Sequence, residues 1–410
     1  MSLDLLSLPP APHVHGDDPA AFWTARSAAV SAVSGPVASI DLDALRFNAM
    51  DLVVRSAGVP IRVASKSIRV REVLGATLAI PGYRGILAFT LPEALWLARE
   101  YDDIVLGYPS VDRAALEQLV GDDDLAHRIT LMVDDPAQLD AVDAVAAPAS
   151  RARIRVAIDA DASWRAPVLG HIGVRRSPVH EPTEVLRLAR SILARPGFDL
   201  VGLMMYEAQI AGQPDHTGSG DGVIRWMQHR SREELVARRG AIVAGLREIT
   251  ELEFVNGGGT GSLEFTAADP AVTETTAGSG LLAGHLFDGY RAFAPAPAAA
   301  FALEVVRKPL DDIAVVLGGG WIASGPPVAS RQPRPVWPSG LKTLGREGAG
   351  EVQTPLQGES ARRLRVGDRV WFRHAKSGEL AERVDRYHLT LGENLVGEAA
   401  TYRGEGKSFL

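Results

Sequence analysis

Ile61-Arg62-Val63-Ala64-Ser65-Lys66-Ser67 reads as a short apolar strand that ends on a lysine. Ile61, Val63 and Ala64 supply the apolar run, and Lys66 sits where a buried strand meets its following loop. A buried, unpaired ammonium is costly, so a core strand rarely delivers one without a use for it. A lysine so placed can lose its proton, attack a carbonyl and form a Schiff base. The plainer reading is a solvated lysine at a strand terminus, and this stretch by itself favours it. What surrounds the stretch reverses that preference.

Working outward, the chain alternates regularly between helical and strand-like segments. Strand candidates after Lys66 are Gly85–Thr90, Asp103–Tyr108, Arg128–Val133, Ile154–Asp159, Leu200–Tyr206, Glu253–Asn256 and Thr273–Ala277. Helical segments lie between them, at Val70–Leu78, Pro92–Arg99, Asp112–Leu119, Pro136–Ala146, Thr183–Ala194 and Glu233–Ile249. Most of the strands are continuous apolar runs, as strands buried on both faces read. Eight such units predict an α/β fold, a TIM-like (β/α)8 barrel. A doubly wound open sheet is the runner-up. It wants a glycine fingerprint after the first strand, and that turn carries Lys66 instead.

The flanks read differently. Residues 1–35 predict an irregular arm with one short helix near Pro19–Val33, packing on a C-terminal domain. Val37–Leu42 is a short strand, and Asp43 is the candidate cap of the helix that runs through Arg55 to Gly58-Val59-Pro60. Beyond the Ala/Pro-rich linker Ala294–Ala300, short β-like runs appear at Phe301–Val306, Ile313–Leu317, Arg369–Phe372, Glu382–Tyr387 and Tyr387–Leu391. Pro- and Gly-rich loops separate them. The expected division is therefore an arm over 1–35, a barrel over 36–298 and a C-terminal β domain over 299–410.

Composition narrows the chemistry. The 410 residues are 46% hydrophobic and 23% charged, which fits a soluble globular protein. A net charge of -7 leaves no basic footprint for nucleic acid. The absence of cysteine excludes a disulfide framework, a thiol nucleophile and thiolate metal sites, and it points to a reducing compartment. No signal peptide or membrane span is legible. A cytoplasmic enzyme with a small-molecule substrate and a homodimeric state is expected.

Two glycine clusters bring in the cofactor. Asn256-Gly257-Gly258-Gly259-Thr260-Gly261 follows the seventh strand, and Ala277-Gly278-Ser279-Gly280 follows the eighth. Glycines let backbone N–H groups approach a phosphate, and Thr260 and Ser279 can add hydroxyl donors. Barrels often hold phosphate with the loops after strands seven and eight. A lysine ending strand one together with these two loops matches an aldehyde cofactor with a phosphate handle, pyridoxal 5'-phosphate.

These residues resemble a known group. Arg62-Val63-Ala64-Ser65-Lys66-Ser67, Gly257–Gly261, Gly278-Ser279-Gly280 and the late His374 are similar to the D-threonine aldolase and D-serine dehydratase group. Its members are fold-type III pyridoxal-phosphate enzymes related to alanine racemase in their barrel. The resemblance spans roughly residues 36 to 400. It implies that Lys66 carries the cofactor and that Gly258, Gly259, Thr260 and Ser279, flanked by Gly278 and Gly280, hold the phosphate. It also implies that Tyr206, ending Gly202-Leu203-Met204-Met205-Tyr206, faces the cofactor. In the segment His171-Ile172-Gly173-Val174 the group often has arginine two positions before the glycine. Here the basic candidates beside the ring are His171 and Arg175.

One departure is chemical. Members of the group bind a divalent metal through a histidine and, two residues later, an aspartate or cysteine. Here the segment is Arg373-His374-Ala375-Lys376, and a protonated lysine cannot ligate a metal. The expectation is a site without metal, with the Lys376 cation near the β-hydroxyl of the substrate. Glu379 or Glu382 as a replacement ligand is the alternative, and a surface His-Ala-Lys turn is the plainest one. Tyr206 reads equally as a core tyrosine with a satisfied hydroxyl. His285 reads as a packing histidine, His216 as part of a surface loop, and Asp159 and Asp161 as possible solvated turn residues.

The implied activity is that of a lyase on a β-hydroxy amino acid. It is either an aldolase giving glycine and an aldehyde or a dehydratase in which freed Lys66 takes the α-proton. His374 and Lys376 serve either course. An amino-acid racemase is the alternative within the fold, since fold does not choose among these reactions. Two further alternatives are a pyridoxal-phosphate-binding protein without turnover, disfavoured by the β domain, and a sugar-phosphate barrel enzyme that uses Lys66 without the cofactor.

Overall fold

The computed structural model describes residues 3–9 and 18–410. Residues 1–2 and 10–17 of the expected arm, including Pro10 and Asp17, lie outside the described residues. The chain forms two compact units. One comprises residues up to Asp51, Ser67–Ala79 and Ser279–Ser408; the other comprises Leu52–Lys66, Ile80–Gly278 and Phe409–Leu410.

The second unit is a closed barrel of eight parallel strands. In order around it they are Ile61–Ala64, Tyr83–Ala88, Ile104–Leu106, Ile129–Val133, Ile154–Asp159, Phe198–Met205, Phe254–Gly257 and Glu274–Ala277. It closes where Thr275 pairs with Ile61 and Ala277 with Val63. All eight strands are the ones expected from the apolar runs. Side-chain caps punctuate the intervening helices. Thr90 accepts from Glu93 N at 3.3 Å, and Asp112 accepts from Ala115 N at 3.1 Å. Val105, Met132, Ala157, Val201, Met204 and Phe254 fill the barrel's interior, with Leu87 against them. Arg62 is buried as well. It donates to Glu274 at 2.8 Å and to Asp103 at 2.7 Å, and its guanidinium lies over the Phe254 ring.

Two features of this unit were not expected. A hairpin of Trp164–Ala166 and Gly170–Ile172 follows the fifth barrel strand. The long helix begins at Asp221 and runs to Arg247, twelve residues earlier than its apolar pattern indicated. Its first turns are polar, so periodicity alone does not reveal them.

The first unit is built on a nine-stranded sheet. Its longest strand, Ala299–Leu310, pairs with Ile313–Leu317, with Arg369–Arg373 and with Val37–Asp41. Val37–Asp41 also runs parallel to Arg386–Leu391. This strand therefore belongs to the sheet and not to the barrel span expected from residue 36. Helix Pro19–Ala29 packs Trp23 on Trp371, with ring centroids 5.8 Å apart. Arg26, fully buried, donates to Ser39 O, Pro297 O and Ala298 O at 2.6–2.9 Å. The cap of helix Leu42–Arg55 is Asp41, which accepts from Ala44 N at 2.9 Å; Asp43 lies inside the helix and pairs with Arg46. Glu382–Tyr387 is not a strand: Leu380–Glu382 is a 3-10 turn and the strand begins at Arg386.

Candidate active site

The first barrel strand ends at Ala64, and Lys66 lies in the 3-10 turn Ser65–Ser67 that follows. Ser65 is buried and donates through Oγ to Leu87 O at 3.1 Å, which pins the turn to the neighbouring strand. Lys66 points outward at the C-terminal end of the strands. That is the end where barrels carry their chemistry. Its Nζ donates to Tyr108 Oη at 2.7 Å and lies 5.2 Å from the centroid of that ring.

Tyr108 was not singled out from the sequence. It sits two residues past strand Ile104–Leu106, where Gly107 N still bonds to Ala88 O at 2.8 Å. Its position at the end of a strand candidate was the available signal, because in a barrel such residues face the mouth.

Tyr206 follows strand Phe198–Met205 and is half-buried. Burial and the adjacent Glu207 carboxylate push its hydroxyl up to about 12; Arg176 acts against them and Tyr108 adds to them. Tyr206 and Tyr108 therefore share this mouth with Lys66. Asp159 ends the fifth barrel strand. Burial first, then the Asp134 charge, raise its carboxyl to about 7, with Arg176 opposing. Asp159 is thus no solvated turn residue. Asp161 is buried too and accepts from Ser163 N and Oγ at 2.9 and 2.7 Å.

The basic residue that acts on both Asp159 and Tyr206 is Arg176, not Arg175. The expected alternative His171 is engaged inside its own hairpin, with Nε2 2.9 Å from Val174 O and Nδ1 3.4 Å from Ser163 Oγ.

The first glycine loop is held from beneath by a buried network that local sequence reading did not reveal. Glu207 accepts from Gly258 N at 3.1 Å, from Ser262 Oγ at 3.1 Å and from Thr266 Oγ1. Arg239 reaches the same carboxylate at 3.2 Å and Asp269 at 2.7 Å, and all three charged groups are buried. Gly259 N donates to Ser262 Oγ at 3.2 Å. The amides of Gly258 and Gly259 are therefore committed inward, which corrects their expected part as phosphate donors. Gly258 is instead required by its φ of +86°, which side-chain-bearing residues rarely adopt. A Cβ at Gly259 would lie 3.2 Å from Tyr206 Cε2. Arg55 holds the far side of the loop by donating to Thr260 O at 2.6 Å. Gly261 N–H and the Thr260 hydroxyl belong to the same loop. At Gly278 a Cβ would stand 2.5 Å from Ala64 O, so only glycine lets the eighth strand end beside the lysine strand.

These residues fit a phosphorylated aldehyde. A lysine lies at the mouth, glycine-shaped approaches flank it, and Tyr108, Tyr206 and Arg176 stand around it.

Ser279, Gly280 and the His374–Lys376 segment belong to the sheet unit. Ser279–Leu282 forms a short helix, and Ser377 Oγ donates to Ser279 O at 2.7 Å. His374 is fully buried, which excludes a surface turn, and both ring nitrogens lack a hydrogen-bond partner among the described residues. Burial, followed by the nearby Arg373, His285 and Arg26, pushes His374 down to about 3. Lys376 Nζ donates to Ser324 O at 3.1 Å and to Ser324 Oγ at 3.2 Å. Glu379 accepts from Ser324 N at 2.7 Å, and Glu382 pairs with Arg69. Among the described residues no group of three or more His, Asp or Glu side chains could hold a metal ion. A lone neutral imidazole surrounded by cationic groups is a donor set that does not fit a divalent cation. His285, the expected packing histidine, is buried with Nε2 2.9 Å from Gln332 O.

Comparison with known proteins agrees with this geometry. The family described as alanine racemase, N-terminal domain, matches residues 40–261, over half of the chain. D-threonine aldolase from Arthrobacter sp. is 30% identical over 294 residues, covering 67% of this chain and 69% of that protein. Among solved structures, D-threonine aldolase from Filomicrobium marinum superposes with a TM-score of 0.75 at 20% identity, over 91% of this chain and 96% of that one. D-threo-3-hydroxyaspartate dehydratase from Delftia sp. HT23 gives a TM-score of 0.72 at 20% identity, over 91% and 98%. At that identity the structural likenesses show the fold. With the sequence relative and the lysine at the mouth, the chain belongs to the alanine racemase-like, fold-type III family of pyridoxal-phosphate enzymes and is a homologue of D-threonine aldolase.

Proposed function

We propose that this chain is a pyridoxal-phosphate-dependent lyase that acts on a β-hydroxy amino acid. The observation that carries the reading is Lys66 Nζ at the barrel mouth, 2.7 Å from Tyr108, in a chain 30% identical to D-threonine aldolase. Cleavage to glycine and an aldehyde is favoured over dehydration, because the aldolase is the sequence relative and the dehydratase shares the fold at 20% identity.

Lys66 would hold the cofactor covalently through Nζ. Gly261 N–H, Thr260 and Ser279 would bind its phosphate, and Tyr206 would bound its ring. When bound, the cofactor supplies an electron sink for a bond broken at the α-carbon. The chain's own residues supply the rest. Lys66 Nζ would also serve as a base at the mouth that takes or returns a proton. Arg176 offsets negative charge beside Tyr206 and Asp159. His374 stays neutral over the physiological range, so it can orient a hydroxyl but carries no charge. We assign the cationic part at the β-hydroxyl to Lys376, where it would favour the alkoxide of cleavage.

The donor set around His374 supports activity without a divalent metal. Prolonged chelation should leave turnover intact; loss on chelation, restored by manganese or magnesium, would reject that part. Purified protein given D- and L-β-hydroxy amino acids should release glycine and an aldehyde. A keto acid with ammonia would make it a dehydratase, and the mirror-image amino acid a racemase. Absence of cysteine supports a cytoplasmic location, and a homodimer follows from the resemblance; light scattering on the purified chain tests the latter.

A further inference from the structure

We propose that Tyr108 is the proton partner of Lys66: it draws the proton from Nζ when the lysine must act as a neutral nucleophile or base, and returns it afterwards. The inference rests on Lys66 being the cofactor's attachment point.

The geometry is direct. Nζ and Oη are 2.7 Å apart, a hydrogen bond at the short end of the ordinary range. Tyr108 is half-buried, so the residue meets solvent as well as the lysine. Two fixed points set the pair. Ser65 anchors the lysine turn to Leu87 O, and Gly107 N anchors the tyrosine's strand to Ala88 O on the same neighbouring strand. Lysine and tyrosine thus follow the two strands that flank Tyr83–Ala88, and their neighbours Ser65 and Gly107 are each hydrogen-bonded to its end.

The chemistry matches the placement. Alkylammonium and phenol groups hold their protons with nearly equal strength in water. Proton transfer between such groups across a short contact has little driving force in either direction, which suits a group that must give and take. In the relay one N–H bond of the ammonium breaks and an O–H bond forms at Oη, while the phenol's original proton leaves to solvent. The pair ends as amine and phenol, one proton poorer, and no electrons change owner. Tyr206 is a poorer agent for the same transfer. Its hydroxyl is pushed up to about 12 by burial and by Glu207, which keeps it protonated.

The test is the rate at which pyridoxal phosphate attaches to the full-length chain after the cofactor has been stripped, followed by visible absorbance across pH. Tyr108→Phe keeps the ring and removes Oη. At neutral pH its attachment should be about 10²-fold slower than wild type. The deficit should shrink as pH rises, because solvent base takes over. Tyr108→His, which restores a proton carrier, should recover part of the rate near neutral pH, and it carries the test if the phenylalanine variant unfolds. A purely structural role would slow attachment equally at every pH and would not respond to histidine. Equal rates and equal pH profiles in wild type and Tyr108→Phe would overturn the proposal. If wild type itself never becomes coloured, the proposal falls together with the reading of Lys66.

Discussion

The two ends of the barrel both carry ionisable groups and treat them differently. At the N-terminal end a cavity of about 260 Å³ is lined by Arg62, Arg128, Arg155 and the acids that face them. Each arginine there has its carboxylate. Arg62 bonds to Glu274 and Asp103, Arg155 bonds to Glu253 at 2.6 Å, and Arg128 lies 3.2 Å from Asp102. At the C-terminal end Glu207 is matched by Arg239 beneath the glycine loop, while burial shifts the proton affinities of other groups. Asp159 is raised to about 7, Tyr206 to about 12, and Lys66 Nζ donates to Tyr108 Oη. Matched charges close one end and give it stability. Groups with shifted proton affinity leave the other end able to exchange protons.

Substitutions at the two ends should therefore fail in different ways. The largest effect is expected at the matched end. Glu274→Leu leaves the buried Arg62 only the half-exposed Asp103 as an acidic partner and should cost about 3 kcal/mol in unfolding free energy. Denaturant titration measures it, and the variant that still folds should keep its capacity to become coloured with pyridoxal phosphate. An unchanged unfolding midpoint would show that the pair at this end contributes nothing.

A middling effect is expected beneath the mouth. Gly259→Val would place a Cβ 3.0 Å from that of Ala211 and drive branches into Tyr206. Overpacking of this kind costs about 1–3 kcal/mol. Cofactor retention, read by equilibrium dialysis, should fall by about tenfold or more. Retention equal to wild type would place the phosphate away from this loop.

The smallest effect is a pH dependence. Asp159 keeps its proton in the folded protein up to about pH 7, whereas the ordinary carboxyl value is 3.8. In that window the folded state binds the extra proton, so stability falls as pH rises through it. Asp159→Asn should therefore melt close to wild type below about pH 4 and above it by a growing margin up to about pH 7, with a constant gap beyond. A gap that grows as pH falls would reverse the assignment.

The sequence and the structure agree where the physics is local. Eight apolar runs, one terminal lysine and two glycine turns are each legible within a few residues, and all eight strands close the barrel. What escaped reading is non-local or disguised. Glu207 and Arg239 lie far apart in sequence, and only the closed barrel stacks them under Gly258. Tyr108 is an ordinary strand-end tyrosine until the turn of Lys66 is placed beside it. Gln353–Gln357 carries Pro355, which reads as a loop; in the sheet that proline faces Val315, past the end of the two-residue pairing with Lys342–Thr343. Arg175 and Arg176 are neighbours with the same composition signal, and only geometry assigns the charge to the second.

The central claim is that the C-terminal end of the barrel holds pyridoxal phosphate on Lys66. Incubating the purified chain with the cofactor, reducing it with borohydride and mapping the modified peptide tests this in one step. The account predicts a single phosphopyridoxyl group on Lys66 and a protein that loses its visible band on reduction. A colourless protein, or label spread over other lysines with Lys66 unmodified, would contradict it.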